Sequence, residues 1–245
     1  MQIGLYIIGD EILGGRRRDT HLSAMIERLK PYGKTLNWVR ILGDDFSTLV
    51  ENFRQSLASG AWVLSTGGIG GTPDDLTRQA LAEAADIELV PHPEGLAILR
   101  EKYGDELTPE RRRMVEFPEG ATLIPNPVNR IPGFSFRQHH CVPGFPQMAW
   151  PMIEWVLAQA FGGQCSEAPL ELAVKIKGTP ESKLISLMER LLRTYPGVKV
   201  FSLPSIAPNE PCVELGVRGP ADKARAAMRE MQSELTDRNI EWEEV

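Results

Sequence analysis

The chain has 245 residues, enough for one large domain or two smaller ones, and 42% of them are hydrophobic, as in ordinary globular proteins. A net charge of −6 argues against a protein that coats nucleic acid. No apolar run approaches the roughly 18 residues of a membrane helix, and no basic signal-peptide leader begins the chain. We therefore expect a cytoplasmic protein that binds neither nucleic acid nor a membrane.

Strands alternate with helices along the first part of the chain. Short apolar runs predict buried strands at residues 3–8, 35–41 and 61–66. Helices are predicted from about Asp19 and from about Asp45, because apolar residues there recur every three or four positions. This alternation predicts a parallel sheet with helices on both faces. Ligands of such sheets bind beyond the carboxyl ends of the strands.

Residues 9–21 are predicted to form a loop between the first strand and the first helix. Less regular segments follow the third strand and its helix, and we predict their structure from apolar runs and from proline and glycine. The later predictions are a charged helical region at 91–119, a short strand and loop at 121–134, one strand at 136–146, and a helix at 147–161.

A second domain is predicted after a linker at residues 162–169. The pattern beyond the linker is β-α-β-β-α-β, the order of ferredoxin-like domains. We therefore predict an α/β domain over residues 1–163 and a small α+β domain over residues 169–245. The three cysteines, at positions 141, 165 and 212, are far apart and odd in number, which favours a reducing compartment.

The stretch "STGGIGGTPDDLT" (65–77) predicts a phosphate-binding loop. It is not a Walker loop, since no lysine follows the glycines, and Pro73 replaces the third glycine of a dinucleotide fingerprint. Glycines nevertheless let backbone N–H groups approach an anion, and a helix that starts near Asp74 adds its positive end. Thr66 and Thr72 offer hydroxyl donors. The glycines of the loop are Gly67, Gly68, Gly70 and Gly71.

Two carboxylates, Asp74 and Asp75, lie beside the predicted anion-binding loop, although their charge would repel an anion. We expect Asp74 or Asp75 to be the N-cap of the next helix, because aspartate is favoured there. The other carboxylate is a candidate ligand of a divalent metal that bridges to substrate phosphates. Asp10 and Glu11 follow the first strand and are expected at the same sheet edge. Asp10 and Asp75 are our candidate ligands for Mg²⁺, Mn²⁺ or Co²⁺.

Two other clusters could bind a ligand, but each also has a structural explanation. Arg16, Arg17 and Arg18 suit an anion, but at least one of them is expected to lie in a solvated basic loop. The consecutive residues 139–141 (His-His-Cys) resemble metal ligands. Because alternate residues of a strand face opposite sides, we interpret them as ordinary strand residues.

Four stretches, in the same order and over about residues 1–160, resemble the competence/damage-inducible protein A family. "IIGDEILGGRRRDTH" resembles the family's "GDELLxGxxxNTN", and "STGGIGGTPDDLTRQAL" resembles "TGGLGPTxDDLTxxAL". "ATLIPNPVNRIPGF" is similar to "LxNPVGTAPGF", and "CVPGFPQMAWPM" to "LPGVPxEMxxM". The wider superfamily contains the molybdopterin-binding and molybdopterin adenylyltransferase domains.

The resemblance implies a three-layer α/β/α domain with a mostly parallel sheet. It also implies that the 67–75 loop binds the phosphate of a pterin or nucleotide. Metal-dependent hydrolysis of the ADP-ribose pyrophosphate is associated with this branch, which makes Asp10, Glu11, Asp74 and Asp75 the candidate catalytic residues. The other matching motif positions are Gly67, Gly68, Gly70, Thr72, Thr77, Asn126, Pro127, Gly133, Pro143 and Gly144.

The chain departs from the family pattern in several places. Asp19-Thr20-His21 stands where the family often has "NTN", and Asn129-Arg130 replaces small turn residues. The acid of "PGVPxEM" is missing where Gln147-Met148 stands, which weakens any metal site that it would serve. We also expect the nicotinamide mononucleotide amidohydrolase domain of longer members to be absent.

Three functions therefore remain open. The first is hydrolysis of a nucleotide-sugar pyrophosphate, and the second is binding of molybdopterin, or adenylyl transfer to it, in molybdenum-cofactor biosynthesis. The third is a non-catalytic binding module. In each case the expected partner is a small-molecule nucleotide or pterin, and we expect a homo-oligomer.

Overall fold

The structure, a computed structural model, describes residues 1–162, 169–205 and 212–245. The chain divides into two compact units, Met1–Cys165 and Ser166–Val245. Of the linker predicted at 162–169, only the two end residues lie in the described ranges, and Cys165 lies outside them.

Eight strands lie in the N-terminal unit: β1 (Ile3–Ile8), β2 (Trp38–Leu42), β3 (Trp62–Thr66), β4 (Leu89–Pro91), β5 (Glu116–Pro118), β6 (Thr122–Ile124), β7 (Gly133–Phe136) and β8 (His139–Val142). Six of them form one sheet in the order β2-β1-β3-β8-β7-β6, while β4 and β5 form a separate antiparallel pair. The strands β2, β1, β3 and β8 are mutually parallel, and β7 is antiparallel to both of its neighbours. The predicted, mostly parallel sheet is thus confirmed.

Helices cover both faces of this sheet: α1 (Asp10–Leu13), α2 (His21–Leu29), α3 (Phe46–Ser59), α4 (Thr77–Ala85), α5 (Pro93–Tyr103), α6 (Pro109–Arg113) and α7 (Pro146–Phe161). Strand β1 shows how the layers form. Tyr6 and Ile8 pack in one buried cluster with α3 and α4, whereas Leu5 and Ile7 pack in another with α2 and α7. Because alternate strand residues face opposite sides, the two clusters lie on opposite faces, which confirms the three layers.

Several local predictions are wrong. The segment predicted as a loop at 9–21 contains α1, and the helical region predicted at 91–119 is two helices followed by β5. The single strand predicted at 136–146 is part of a hairpin, β7–β8. Its turn contains Arg137 with φ of 51°, a conformation that glycine or asparagine usually marks in a sequence. Because Arg137 gives no such turn signal, the sequence predicted one strand where the structure has two.

The C-terminal unit has the predicted βαββαβ order. Its elements are β9 (Leu170–Lys177), α8 (Ile185–Thr194), β10 (Lys199–Ser205), β11 (Cys212–Gly219), α9 (Ala221–Asp237) and β12 (Trp242–Glu244). The strands form an antiparallel sheet in the order β10-β11-β9-β12. Val174, Leu187 and Met231 belong to the unit's own buried core. Nowhere in the described ranges does a helix combine the length and apolar character needed to cross a membrane.

The histidines of β8 point to opposite sides of the sheet. His139 Nε2 lies 2.7 Å from the Ser56 hydroxyl of α3, and His140 Nδ1 lies 2.8 Å from the Ser135 hydroxyl of β7. The pKa of each imidazole is lowered to about 4, mainly by burial, and for His139 also by the neighbouring His140 and Arg137. Both rings are therefore neutral structural groups in the folded protein near pH 7.

Acid should destabilise the N-terminal unit through these two histidines. The unfolded chain takes up protons below pH 6.5, whereas the folded imidazoles resist protonation until about pH 4. The free energy of unfolding should fall across that window, by at most about 3 kcal/mol for each histidine. Urea unfolding at pH 7 and pH 5 checks this: the fall should be smaller in His140→Gln than in the native chain. Equal losses in the two proteins would contradict it.

Candidate functional site

A cavity of about 400 Å³ lies where β1, β3 and β8 end. Ile8 closes β1, Gly67 follows β3, and Pro143 follows β8, and all three line the cavity. This is the edge at which parallel-sheet proteins bind ligands, and the volume is within the range of small-molecule sites.

The glycine loop is held tightly against the end of β1. Gly67 and Gly68 have φ of 98° and 66°, which residues with side chains rarely adopt. A Cβ atom at Gly67 would collide with the carbonyl oxygen of Ile8, and one at Gly68 would collide with the hydroxyl of Thr77. Only glycine therefore lets the backbone enter the cavity wall at these two positions.

Unpaired backbone donors line the same wall. The N–H of Gly67 donates to the Val142 carbonyl at 3.0 Å, and the N–H of Thr72 donates to Asp75 Oδ2 at 2.9 Å. Between them, the N–H groups of residues 68–71 donate to no protein acceptor in the described part of the chain. All four residues line the cavity. Successive free N–H groups on a concave surface are a recognised anion-binding arrangement.

A buried arginine fixes the loop from behind. Arg78, on α4, is 2% exposed, and its guanidinium donates to the carbonyls of Gly70 (2.6 Å), Glu116 (3.3 Å) and Arg113. Burial lowers the pKa of Arg78, and the charges of Asp75 and Glu116 partly offset this effect. Because the guanidinium binds the Gly70 carbonyl, it holds one peptide of the anion loop in place.

Asp75 stabilises the turn of the loop and does not cap α4. Its Oδ2 accepts hydrogen bonds from both the N–H and the hydroxyl of Thr72. Helix α4 begins at Thr77, and its N-cap residue, Leu76, makes no side-chain capping bond. The prediction that Asp74 or Asp75 caps this helix is therefore wrong. The two acids precede the helix by a separate tight turn, which a Thr-Pro-Asp-Asp sequence equally favours.

Acidic side chains also line the cavity. Asp10 and Asp44 form reciprocal bonds: the Asp10 N–H donates to Asp44 Oδ2 (2.9 Å), and the Asp44 N–H donates to Asp10 Oδ1 (3.2 Å). Asp44 lines the cavity beside Glu11 and Asp74. Burial raises the pKa of Asp44, and the negative charges of its acidic neighbours raise it further against the Asp10 N–H bond, which lowers it. Sequence reasoning missed Asp44, although it too follows a strand at this edge.

The two predicted metal ligands, Asp10 and Asp75, are hydrogen-bonded to different residues. Asp10 is engaged with Asp44, whereas Asp75 is engaged with Thr72. Among residues 1–162, 169–205 and 212–245, no group of three or more His, Cys, Asp or Glu side chains is placed to hold a metal ion. The side chains at this site therefore do not fit a divalent metal by themselves.

The remaining predicted site residues fall into two groups. Those that line the cavity are Glu11, Gly67, Gly68, Gly70, Gly71, Thr72, Asp74, Asp75, Asn126, Pro143 and Gly144. Those that lie outside it are Asp10, Thr66, Thr77, Pro127 and Gly133. Thr66 and Thr77 are buried and donate their hydroxyls to the carbonyls of Tyr6 and Gly67, so they support the strands and the loop. Gly133 lies in β7, where a Cβ atom would collide with the carbonyl of Cys141.

An apolar wall, which sequence reasoning did not identify, completes the cavity. Its residues are Ile69, Met114, Ile131, Pro132, Phe145 and Met148. Asn126 orders the turn that carries part of this wall: its Oδ1 accepts from the Val128 N–H at 3.0 Å, and its Nδ2 donates to the Ile131 carbonyl at 3.0 Å. Arg17, from the predicted basic loop, also lines the cavity. Most of these apolar residues lie outside helices and strands, where no periodic pattern indicates their role.

Known proteins share this domain. Residues 4–162 match the family model described as "probable molybdopterin binding domain". A protein of Pyrobaculum aerophilum is 30% identical over 243 residues, which is 96% of this chain and 91% of that relative. A CinA-like protein of Anaeromyxobacter sp. is 32% identical over 236 residues, which is 93% of this chain and 57% of that relative.

A solved structure supports the same assignment. The crystal structure of the Thermoplasma acidophilum protein CinA, described as of unknown function, is 27% identical in sequence with a TM-score of 0.60. The similarity covers 66% of this chain and 99% of that structure. With its glycine loop at the sheet edge and the family match over its whole N-terminal unit, the chain belongs to the molybdopterin-binding domain family as a CinA-like member.

Proposed function

We propose that the cavity binds a phosphate-bearing pterin or nucleotide, with the phosphate at residues 68–71. The observation that carries this proposal is the set of four successive N–H groups without a protein acceptor on the cavity wall. A phosphate offers several acceptor oxygens to such donors. Helix α7 begins directly after the cavity-lining Gly144 and Phe145, so its positive end also lies at the cavity.

The acidic side of the cavity restricts what the ligand carries next to its phosphate. Carboxylates accept hydrogen bonds, so they favour hydrogen-bond donors on the ligand. Glu11, Asp44 and Asp74 therefore suit the amino and ring N–H groups of a pterin, or the hydroxyls of a ribose. Molybdopterin fits this description, as does an adenine nucleotide. Adenylyl transfer and non-catalytic binding both begin with this same binding step.

Hydrolysis of a nucleotide-sugar pyrophosphate such as ADP-ribose is the second candidate function. The observation that favours it is the position of the Asp44 carboxylate, which lines the same cavity as the anion loop. The raised pKa of Asp44 makes this carboxylate a better proton acceptor. In this reaction the Asp44 carboxylate would take a proton from a water molecule whose oxygen attacks one phosphorus. The bridging P–O bond would break, the bridging oxygen would leave on the other phosphate, and the products would be a nucleotide monophosphate and a sugar phosphate.

Substitution of Gly70 tests the binding proposal. A Cβ atom at Gly70 would collide with the Asp75 carboxylate, so Gly70→Val should displace the loop and its N–H groups. We expect calorimetry to show at least a tenfold loss of affinity for inorganic pyrophosphate and for AMP. Gly120→Val controls for backbone strain away from the cavity: its φ of 83° disfavours valine although its Cβ atom would meet no neighbour, and this variant should keep the native affinity. Equal affinity in Gly70→Val and the native chain would refute phosphate binding at this loop.

Substitution of Asp44 tests hydrolysis. We expect Asp44→Asn to reduce AMP release from ADP-ribose at least tenfold in assays with Mg²⁺, Mn²⁺ or Co²⁺. If the native chain releases no AMP, hydrolysis is excluded while phosphate binding stands.

The same variant should be more stable than the native chain at neutral pH. A carboxyl with a raised pKa destabilises the fold when it ionises, so stability falls as the pH rises above the unfolded value of 3.8. Asparagine cannot ionise. Thermal melting should therefore show a higher Tm for Asp44→Asn at pH 7 and a smaller difference near pH 4. A lower Tm at pH 7 would contradict the assignment.

A further inference from the structure

A large aromatic side chain lies exposed at the cavity. Phe145 lines the cavity and is 51% exposed. It is the N-cap residue of α7, and its carbonyl accepts hydrogen bonds from the N–H groups of Met148 (3.0 Å) and Ala149 (2.8 Å). The ring is therefore attached to a fixed helix start. A solvent-exposed aromatic ring on a concave wall, carried by a hydrogen-bonded backbone, is suited to contact a ligand.

An arginine faces the same ring. The Arg17 guanidinium carbon lies 5.5 Å from the centre of the Phe145 ring, within the range of a cation–π contact. The backbone N–H of Arg17 donates to the Glu11 carbonyl at 3.0 Å, which anchors this segment beside α1. Arg17 is itself exposed and lines the cavity, so the two side chains present a flat, positively charged surface.

This flat surface adjoins the anion loop. A Cβ atom on Gly144 would lie 3.3 Å from the Cα atom of Gly67, so the two backbones are in close contact. The Gly144 carbonyl is bonded to His21 Nε2 at 3.0 Å, which fixes the segment from the other side. Phe145 is the next residue and lines the same cavity as residues 68–71, so a ligand whose phosphate is held at the anion loop can reach the ring through a short linker.

Resting on the proposed function, we propose that Phe145 and Arg17 are specificity-determining residues that stack on the planar heteroaromatic ring of the ligand. The N–H groups of residues 68–71 hold its phosphate, and Ile69 and Met114 add apolar contact in the same cavity. The site then selects phosphate esters that carry a flat heteroaromatic ring over ring-free phosphates. The two residues have separable effects: the Phe145 ring acts on the ligand's ring alone, whereas the Arg17 charge attracts both parts.

Calorimetry on the full chain with three probes separates these effects. The probes are AMP, ribose 5-phosphate and inorganic pyrophosphate. Stacking of a base on an aromatic side chain contributes enough for Phe145→Val to weaken AMP binding about tenfold. Affinity for the other two probes should stay within about twofold. Phe145→Tyr should restore AMP binding, and Arg17→Gln should weaken all three probes.

The matched control is Trp155→Val, which removes another exposed aromatic ring from α7, at a position that does not line the cavity. It should bind all three probes as the native chain does. The proposal is overturned if Phe145→Val keeps native affinity for AMP, or loses AMP and pyrophosphate equally, while phosphate binding itself stands. If the native chain binds none of the probes, phosphate binding fails and this inference fails with it.

Discussion

The contact between the glycine loop and the end of β1 determines where the site lies. Gly67 approaches the carbonyl of Ile8 so closely that no side chain fits between them, and its N–H is bonded to Val142 at the end of β8. This contact turns the chain sharply out of β3. The next four residues are left on the cavity wall with their N–H groups free of protein acceptors. The apolar wall and the acidic side are arranged around that backbone.

The side chains of Arg78 and Asp75 hold the loop in this conformation. Free N–H groups at a concave surface are unfavourable when no acceptor is present, so the loop needs other bonds to keep its shape. Arg78 supplies one set by holding the Gly70 carbonyl, and Asp75 supplies another by holding Thr72. Both acids of the loop line the cavity, but their roles differ: Asp75 shapes the turn, whereas the charge of Asp74 raises the pKa of Asp44.

Sequence reasoning predicted the architecture well because the fold is encoded in long periodic segments. The apolar run of β1 predicts a strand, and the apolar residues of α3, spaced three or four positions apart, predict a helix. The βαββαβ order of the second unit was predicted in the same way. The glycine loop was found because glycine has a distinctive backbone. Contacts between distant segments could not be found: nothing in the sequence shows that Asp44 pairs with Asp10, or that Arg17 meets Phe145. The burial of Arg78 had one indication in the sequence, because Arg78 shares a helix face with the apolar residues Leu81 and Ala82. A charged residue is nevertheless normally expected to be exposed to solvent.

The central claim is that the free N–H groups of residues 68–71 bind phosphate. The most direct measurement is amide NMR of the ¹⁵N-labelled chain during titration with inorganic pyrophosphate. A bound phosphate should shift the amide signals of residues 68–71 more than any others and should leave the amide of Gly67, already bonded to Val142, less affected. Saturable shifts that are largest elsewhere, or the absence of any saturable shift, would contradict the account.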